Sequence, residues 1–176
     1  MATTYTLISS NTLSASAASV TFSSIPSTYT DLVLRINART DEAGATESQF
    51  FIEYNGSSTA VYSNTRLRGS GSAAASLRNS NEAYIRVPDG TPGNSATSNT
   101  FSNTEIYIPS YTASQNKPSS IIAMAENNTT TAYMDAEAGL WSNTAAITSV
   151  RIFANAFSSI NFVSGSSFFL YGIKNS

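Results

Sequence analysis

The chain has 176 residues, a formal charge of −2, and neither histidine nor cysteine. Without those two residue types, imidazole general bases, histidine triads, thiol nucleophiles, disulfides and most zinc sites are excluded. Only 11% of residues are charged and the nine Lys and Arg are scattered, so charge gives no case for a nucleic-acid or membrane-surface partner.

Hydrophobic residues make up 41% of the chain, with nine Phe and nine Tyr, enough apolar surface to offset the entropy of ordering a single domain. Ser, Thr and Asn supply about two-fifths of the sequence and keep the surface wet without charge. Such surfaces suit crowded packing of many copies, because they do not repel one another. No apolar run is long enough to span a membrane, and Met1-Ala-Thr-Thr has neither the basic start nor the apolar stretch of a signal peptide.

Apolar residues mostly alternate with period two, the signature of strands with one buried face. The pattern predicts strands near residues 4–9, 18–23, 31–38, 48–54, 59–66, 82–88, 102–109, 119–125, 130–138, 148–154 and 166–173. In the third, Leu32, Leu34, Ile36 and Ala38 share one face, opposite Asp31, Val33, Arg35 and Asn37. Phe50, Ile52 and Tyr54 form a similar face, as do Ile106 and Ile108, Val150 and Ile152, and Phe169, Tyr171 and Ile173. Turn signals separate the runs: Ile25-Pro-Ser, Asn55-Gly-Ser, Pro88-Asp-Gly, Thr91-Pro-Gly-Asn and Gly165-Ser-Ser. Helix is confined to possible single turns at Ala73-Ala-Ala-Ser-Leu-Arg and Ala136-Glu-Ala-Gly-Leu-Trp, both too short to stand alone. Arg68-Gly-Ser-Gly-Ser-Ala-Ala-Ala-Ser and residues 88–101 read as long loops.

About eleven short strands with little helix imply one all-β domain over residues 1–176. The expected fold is an antiparallel β-sandwich, jelly-roll-like, with about eight core strands, extra edge strands and a short N-terminal arm. An immunoglobulin-like sandwich is the runner-up, although its Cys–Trp–Cys pattern is absent. Leu32, Leu34, Ile36, Val150, Ile152, Phe169 and Tyr171 are expected in the core.

Candidate chemistry is sparse, and no catalytic residue, cofactor or metal site is assigned. Asp135 and Glu137 lie two apart on a strand and so share a face, a spacing near that of glycosidase carboxylates. A solvent-facing strand accounts for them more simply. Asp41, Glu42 and Glu47 surround Gly44, but no Asp-x-Asp-x-Asp loop exists for calcium. No nucleotide-binding glycine motif occurs. Trp141 and Tyr111 are candidates for stacking on a sugar, although a lone Trp in a sandwich more often lies in the core. Arg66, Arg68 and Arg78 flank the Gly-Ser loop and are available to pair with acids on a neighbouring protein.

Two segments are familiar as whole phrases. One is Tyr5-Thr-Leu-Ile-Ser-Ser-Asn-Thr-Leu followed by Ala18-Ser-Val-Thr-Phe-Ser-Ser-Ile-Pro-Ser-Thr-Tyr-Thr-Asp-Leu-Val-Leu. The other is Gly139-Leu-Trp-Ser-Asn-Thr-Ala-Ala-Ile-Thr-Ser-Val-Arg-Ile-Phe, closing with Gly165-Ser-Ser-Phe-Phe-Leu-Tyr-Gly-Ile-Lys174. Together they resemble small virion structural proteins of tailed phages, especially cyanophages. The resemblance brackets nearly the whole chain and is weakest over residues 40–138.

The resemblance implies a jelly-roll-like virion component, used in such phages as a capsid decoration (cement) protein or on tail fibres. It carries over no catalytic residue. Because the familiar phrases run from Tyr5 to Lys174 and leave little for a stalk, a decoration protein on the outer capsid surface is the expected role. The alternative is a receptor- or glycan-binding module at a tail fibre or tail tip, where Tyr111 and Trp141 would serve. The expected partners are the major capsid protein of the same virion and further copies of the chain itself, as a homotrimer on a threefold position. Contacts are expected from Ala2, Thr3, Thr4 and Tyr5, extended along a neighbour's sheet edge, and from Arg66, Arg68 and Arg78.

Overall fold

A computed structural model describes residues 4–129, 132–155 and 158–174. Twelve strands build it: β1 (Tyr5–Thr12), β2 (Ser19–Phe22), β3 (Asp31–Asn37), β4 (Glu47–Tyr54), β5 (Tyr62–Gly69), β6 (Ala74–Glu82), β7 (Ile85–Pro92), β8 (Asn103–Ile108), β9 (Lys117–Ala125), β10 (Tyr133–Trp141), β11 (Val150–Phe153) and β12 (Ser167–Ile173). They form an antiparallel β-sandwich of an eight-stranded sheet, ordered β1-β12-β3-β8-β9-β10-β5-β6, and a four-stranded sheet, ordered β2-β11-β4-β7. The all-β sandwich expected from the alternation is therefore present.

The core lies between the two sheets, where alternation places it. Leu32, Leu34 and Ile36 of β3, Phe50, Ile52 and Tyr54 of β4, Ile106 and Ile108 of β8, and Val150 and Ile152 of β11 are all buried. On β12 the inward set is Phe168 and Leu170, not the expected Phe169 and Tyr171, which are only half-buried. The run Phe168-Phe-Leu-Tyr171 is apolar on both faces, so alternation cannot choose its parity. Gly172 closes the inward set, because the Tyr29 ring packs flat on its backbone. A Cβ at this position would sit 2.3 Å from a ring carbon.

The sheets are unequal in width, and that inequality governs the rest of the molecule. β7, an edge of the smaller sheet, packs over β9, β10 and β5. β6 lies beyond it, and its side chains are mostly exposed. The sequence reading missed β6 and took residues 68–76 for a flexible loop. The segment is instead a β5–β6 hairpin, closed by a short turn in which Ser70 N–H donates to the Ala73 carbonyl at 2.9 Å. Both expected helical turns are strand as well. Ala74–Arg78 lies in β6 and Ala136–Trp141 in β10. The long loop expected over 88–101 begins only after Pro92.

Candidate interface and buried ion network

The outward side of the eight-stranded sheet is broad and poor in charge. In register, Leu67 of β5 faces Ala136 of β10, which faces Ile122 of β9, which faces Glu105 of β8. Two residues further along, Met134 of β10 faces Met124 of β9. Leu67, Ile122, Met124 and Met134 are exposed, Leu67 to 58% and Met134 to 54%. Such a row of large apolar side chains in water is unusual for a lone soluble domain. Toward the sheet centre, Arg35 and Glu105 neutralise each other at 2.8 Å, an exposed pair worth about 0–1 kcal/mol. At the far end Tyr5 and Leu7 stand exposed beside Tyr171.

The inward side beneath the same strands is ionic. Asp135 and Glu137 do share a face of β10, as their spacing requires, but that face is the sandwich interior and not solvent. Both are buried. Asp135 is paired in register with Arg68, and Glu137 with Arg66. Arg66 reaches Asp89 of β7 at 3.2 Å and Asp135 at 3.5 Å, and Arg68 reaches Asp89 at 2.6 Å. Asp89, with φ of +56° inside β7, thus ties the small sheet to two arginines of the large one. Glu137 accepts a hydrogen bond from Asn64 Nδ2 at 2.6 Å, and Asn64 Oδ1 in turn accepts one from Asn79 at 3.3 Å.

Burial disfavours both carboxylate charges. It raises Glu137 from its ordinary value to about 8, a shift the Asn64 bond and Arg66 only partly oppose. Burial likewise raises Asp135 to about 6, against the attraction of Arg66. At neutral pH Glu137 therefore holds its proton while Asp135 is ionised, so the two arginines balance Asp89 and Asp135. With exposures of 5% and 1%, neither carboxylate is open to a glycan.

The expected contact residues separate on this framework. Ala2 and Thr3 lie outside the described residues. Thr4 and Tyr5 are exposed at the start of β1. Arg66 and Arg68 are not on a loop but on β5, turned inward and committed to Asp89 and Asp135, so they are not free for a partner's carboxylates. Arg78 alone of the three is exposed, on β6. Tyr111 and Trp141 are both in the core. Trp141 stacks against Tyr62 and meets Tyr54 edge-on, and the Tyr111 hydroxyl donates to the Pro26 carbonyl. Neither ring offers a face to a sugar. The acids around Gly44 also diverge: Glu42 accepts from Ser48 at 2.6 Å and Asp41 from Asn161 at 2.7 Å. Among the described residues, no group of three or more acids is placed to hold a metal.

Sequence reasoning missed three polar anchors. Arg39 donates to the carbonyls of Asn94, Ala96, Thr97 and Thr100. Lys117 is fully buried and donates to the carbonyls of Ala113, Gln115 and Thr144. Asn55 accepts from the backbone of Thr148 and Ser149 and donates to Ala146. Arg39 and Asn55 serve backbone far away in the chain, and Lys117 ties its own preceding turn to the distant Thr144, so no simple local pattern marks them. The Asn55-Gly turn was the one readable sign.

Neither a protein-family model nor a curated protein sequence matches the chain.

Proposed function

We propose that this chain is a structural protein of a tailed-phage virion, a capsid decoration protein that binds the outer shell and ties neighbouring capsomers together. The observation that carries the reading is the outward side of the eight-stranded sheet, wide, apolar at Leu67, Ile122, Met124 and Met134, and almost without net charge. A face of this kind meets another protein surface with little desolvation of charge and little repulsion between copies. The phrases at both ends of the sequence that resemble virion proteins support the same reading.

The mechanism is thermodynamic. A protein that binds the assembled lattice and not its separated subunits lowers the free energy of the assembled state. Copies that each touch several subunits multiply weak contacts into a firm hold. Three copies around a threefold position would bring three such faces onto adjoining capsomers.

The test is reconstitution. Purified protein is added to shells that lack it, and occupancy is read by imaging. The expected result is ordered density on the outer shell, lost when Ile122→Lys and Met134→Lys are combined, although the variant remains folded by circular dichroism. Density only on the tail, or undiminished occupancy by the double variant, would defeat the proposal.

A further inference from the structure

The sandwich has four sheet edges, and they are not alike. An open edge presents unpaired N–H and C=O groups to any passing strand, and proteins normally blunt it. In the small sheet, β2 is only four residues long, and β7 carries Pro88, Pro92 and the positive-φ Asp89. At one end of the large sheet, the register of β1 breaks between Leu7 and Ser9. β6, at the other end, has such a device only at its last turn, where Asn81 takes φ of +59° and the register with β5 shifts, leaving residues 74–80 unblunted. It is nine residues long, holds no proline, and pairs with β5 without interruption over residues 74–80.

β6 also leaves apolar surface uncovered on both sides of the hairpin. Leu77 is in register with Arg66 and so points to the inward side. The small sheet stops short of it, and Leu77 stays 44% exposed. Leu67, in register with Ser76, points outward and is exposed as well. A strand added here satisfies the backbone edge and covers Leu77 on the inward face.

We propose that the occupant is β6 of a second copy, paired antiparallel about a twofold axis at Leu77. The sequence of the strand selects this partner and register. Residue 77 is the midpoint of the uninterrupted stretch 74–80, so all of it pairs. Leu77 meets Leu77 on the uncovered inward side, Ala75 meets Asn79, and Ala74 meets Ser80. Arg78 meets Ser76, which keeps the two guanidinium groups apart. Moving the axis one residue, to Arg78, sets two like charges directly opposite and places each Leu77 beside Asn79, both unfavourable. The contact is isologous and joins two eight-stranded sheets into one continuous sheet, with the outer face of each copy still free. This inference does not rest on the proposed shell role, because it concerns the isolated chain in solution.

Sedimentation velocity over a range of concentrations tests it. The expected result is a monomer–dimer equilibrium whose dissociation constant rises about tenfold or more in Leu77→Lys, since opposed lysines replace opposed leucines. Thr21→Lys, exposed on β2 of the other sheet, leaves the equilibrium unchanged. Leu77→Cys provides a second readout in a chain without native cysteine: mild oxidation links two copies through residue 77, whereas Leu7→Cys at the opposite edge stays unlinked. A monomer at every concentration would overturn the proposal. So would any oligomer, threefold or otherwise, that Leu77→Lys leaves intact, or a Leu77→Cys protein that does not cross-link.

Discussion

Glu137 stands directly across from Arg66 in the β10–β5 register, yet the hydrogen bond its carboxylate accepts comes from Asn64. The guanidinium is turned instead toward Asp89 and Asp135. Two acids already share that cation, and a third buried charge would be uncompensated. Glu137 therefore keeps its proton, and its second oxygen, Oε2, makes no hydrogen bond. The arrangement resolves a surplus of buried acid by protonation, the outcome expected when desolvation outweighs the available attraction.

The first prediction is that stability falls as pH rises from about 4 to 9. Glu137 and Asp135 both titrate higher in the folded chain than their ordinary values of 4.5 and 3.8. Over the intervening range the folded state holds more protons than the unfolded state, so the free energy of unfolding decreases with pH. The contribution is complete near pH 4, declines through about 6 as Asp135 ionises, and is exhausted above about 8. Relative to pH 4.5, Glu137 alone removes on the order of 3 kcal/mol by pH 7. Thermal melting across this range checks it. A midpoint that rises steadily toward pH 8 would contradict the buried location of these acids.

Glu137→Gln should raise stability at pH 7 to 8 and give almost nothing at pH 4.5. The amide keeps an oxygen for the Asn64 hydrogen bond and carries no proton to lose. Its advantage over the native chain should therefore open with rising pH. Paired denaturation curves at the two pH values measure the difference. An equal effect at both would mean that packing, and not ionisation, sets the change.

Asp89→Asn should have the opposite sign. It removes the acceptor shared by Arg66 and Arg68 and leaves a buried guanidinium with only Asp135. Breaking one partner of such a pair costs about 3–5 kcal/mol, discounted here because Asp89 and Arg68 retain some solvent. Chemical denaturation at pH 7 should show a loss of about 2–3 kcal/mol. The link between the two sheets should loosen most, visible as faster amide exchange in β7.

The division of the chain into strands was legible where one face of a strand is buried and the other is wet. Leu32, Leu34 and Ile36 show this, with Arg35 between them. β6 left no such trace, because neither of its faces is covered and burial never imposed an apolar period on Ala74–Glu82. Asp135 and Glu137 were placed on a common face correctly but on the wrong side of the sheet. A charge on a strand ordinarily signals solvent, and only the pairing of β10 with β5 brings Arg66 and Arg68 opposite them. Asp89 was hidden in the same way: Pro88-Asp-Gly is a turn signal, and here its positive φ bends an edge strand. The apolar outer face escaped notice because Met124, Met134 and Leu67 lie on three strands whose register no short window of sequence contains.

The last prediction concerns Arg39. Residues 93–102 are rich in Ser, Thr and Asn and form few strand contacts of their own, yet one buried guanidinium organises them. Nη1 donates to the carbonyls of Thr97 and Thr100 at 2.7 and 3.2 Å, and Nη2 to those of Asn94 and Ala96 at 3.1 and 2.9 Å. A planar fork with fixed donors suits four acceptors spread along a curved backbone, and a lysine ammonium does not reproduce it. Arg39→Ala leaves these carbonyls without a charged donor and should cost about 2–3 kcal/mol. Arg39→Lys should recover only part of that, because a single nitrogen replaces two. The loss should be local first: amides of residues 94–100 should exchange faster in Arg39→Ala, while those of β3 and β4 follow global unfolding. Unchanged exchange in that segment would show that the loop holds its shape through its own turns and that the guanidinium only decorates it.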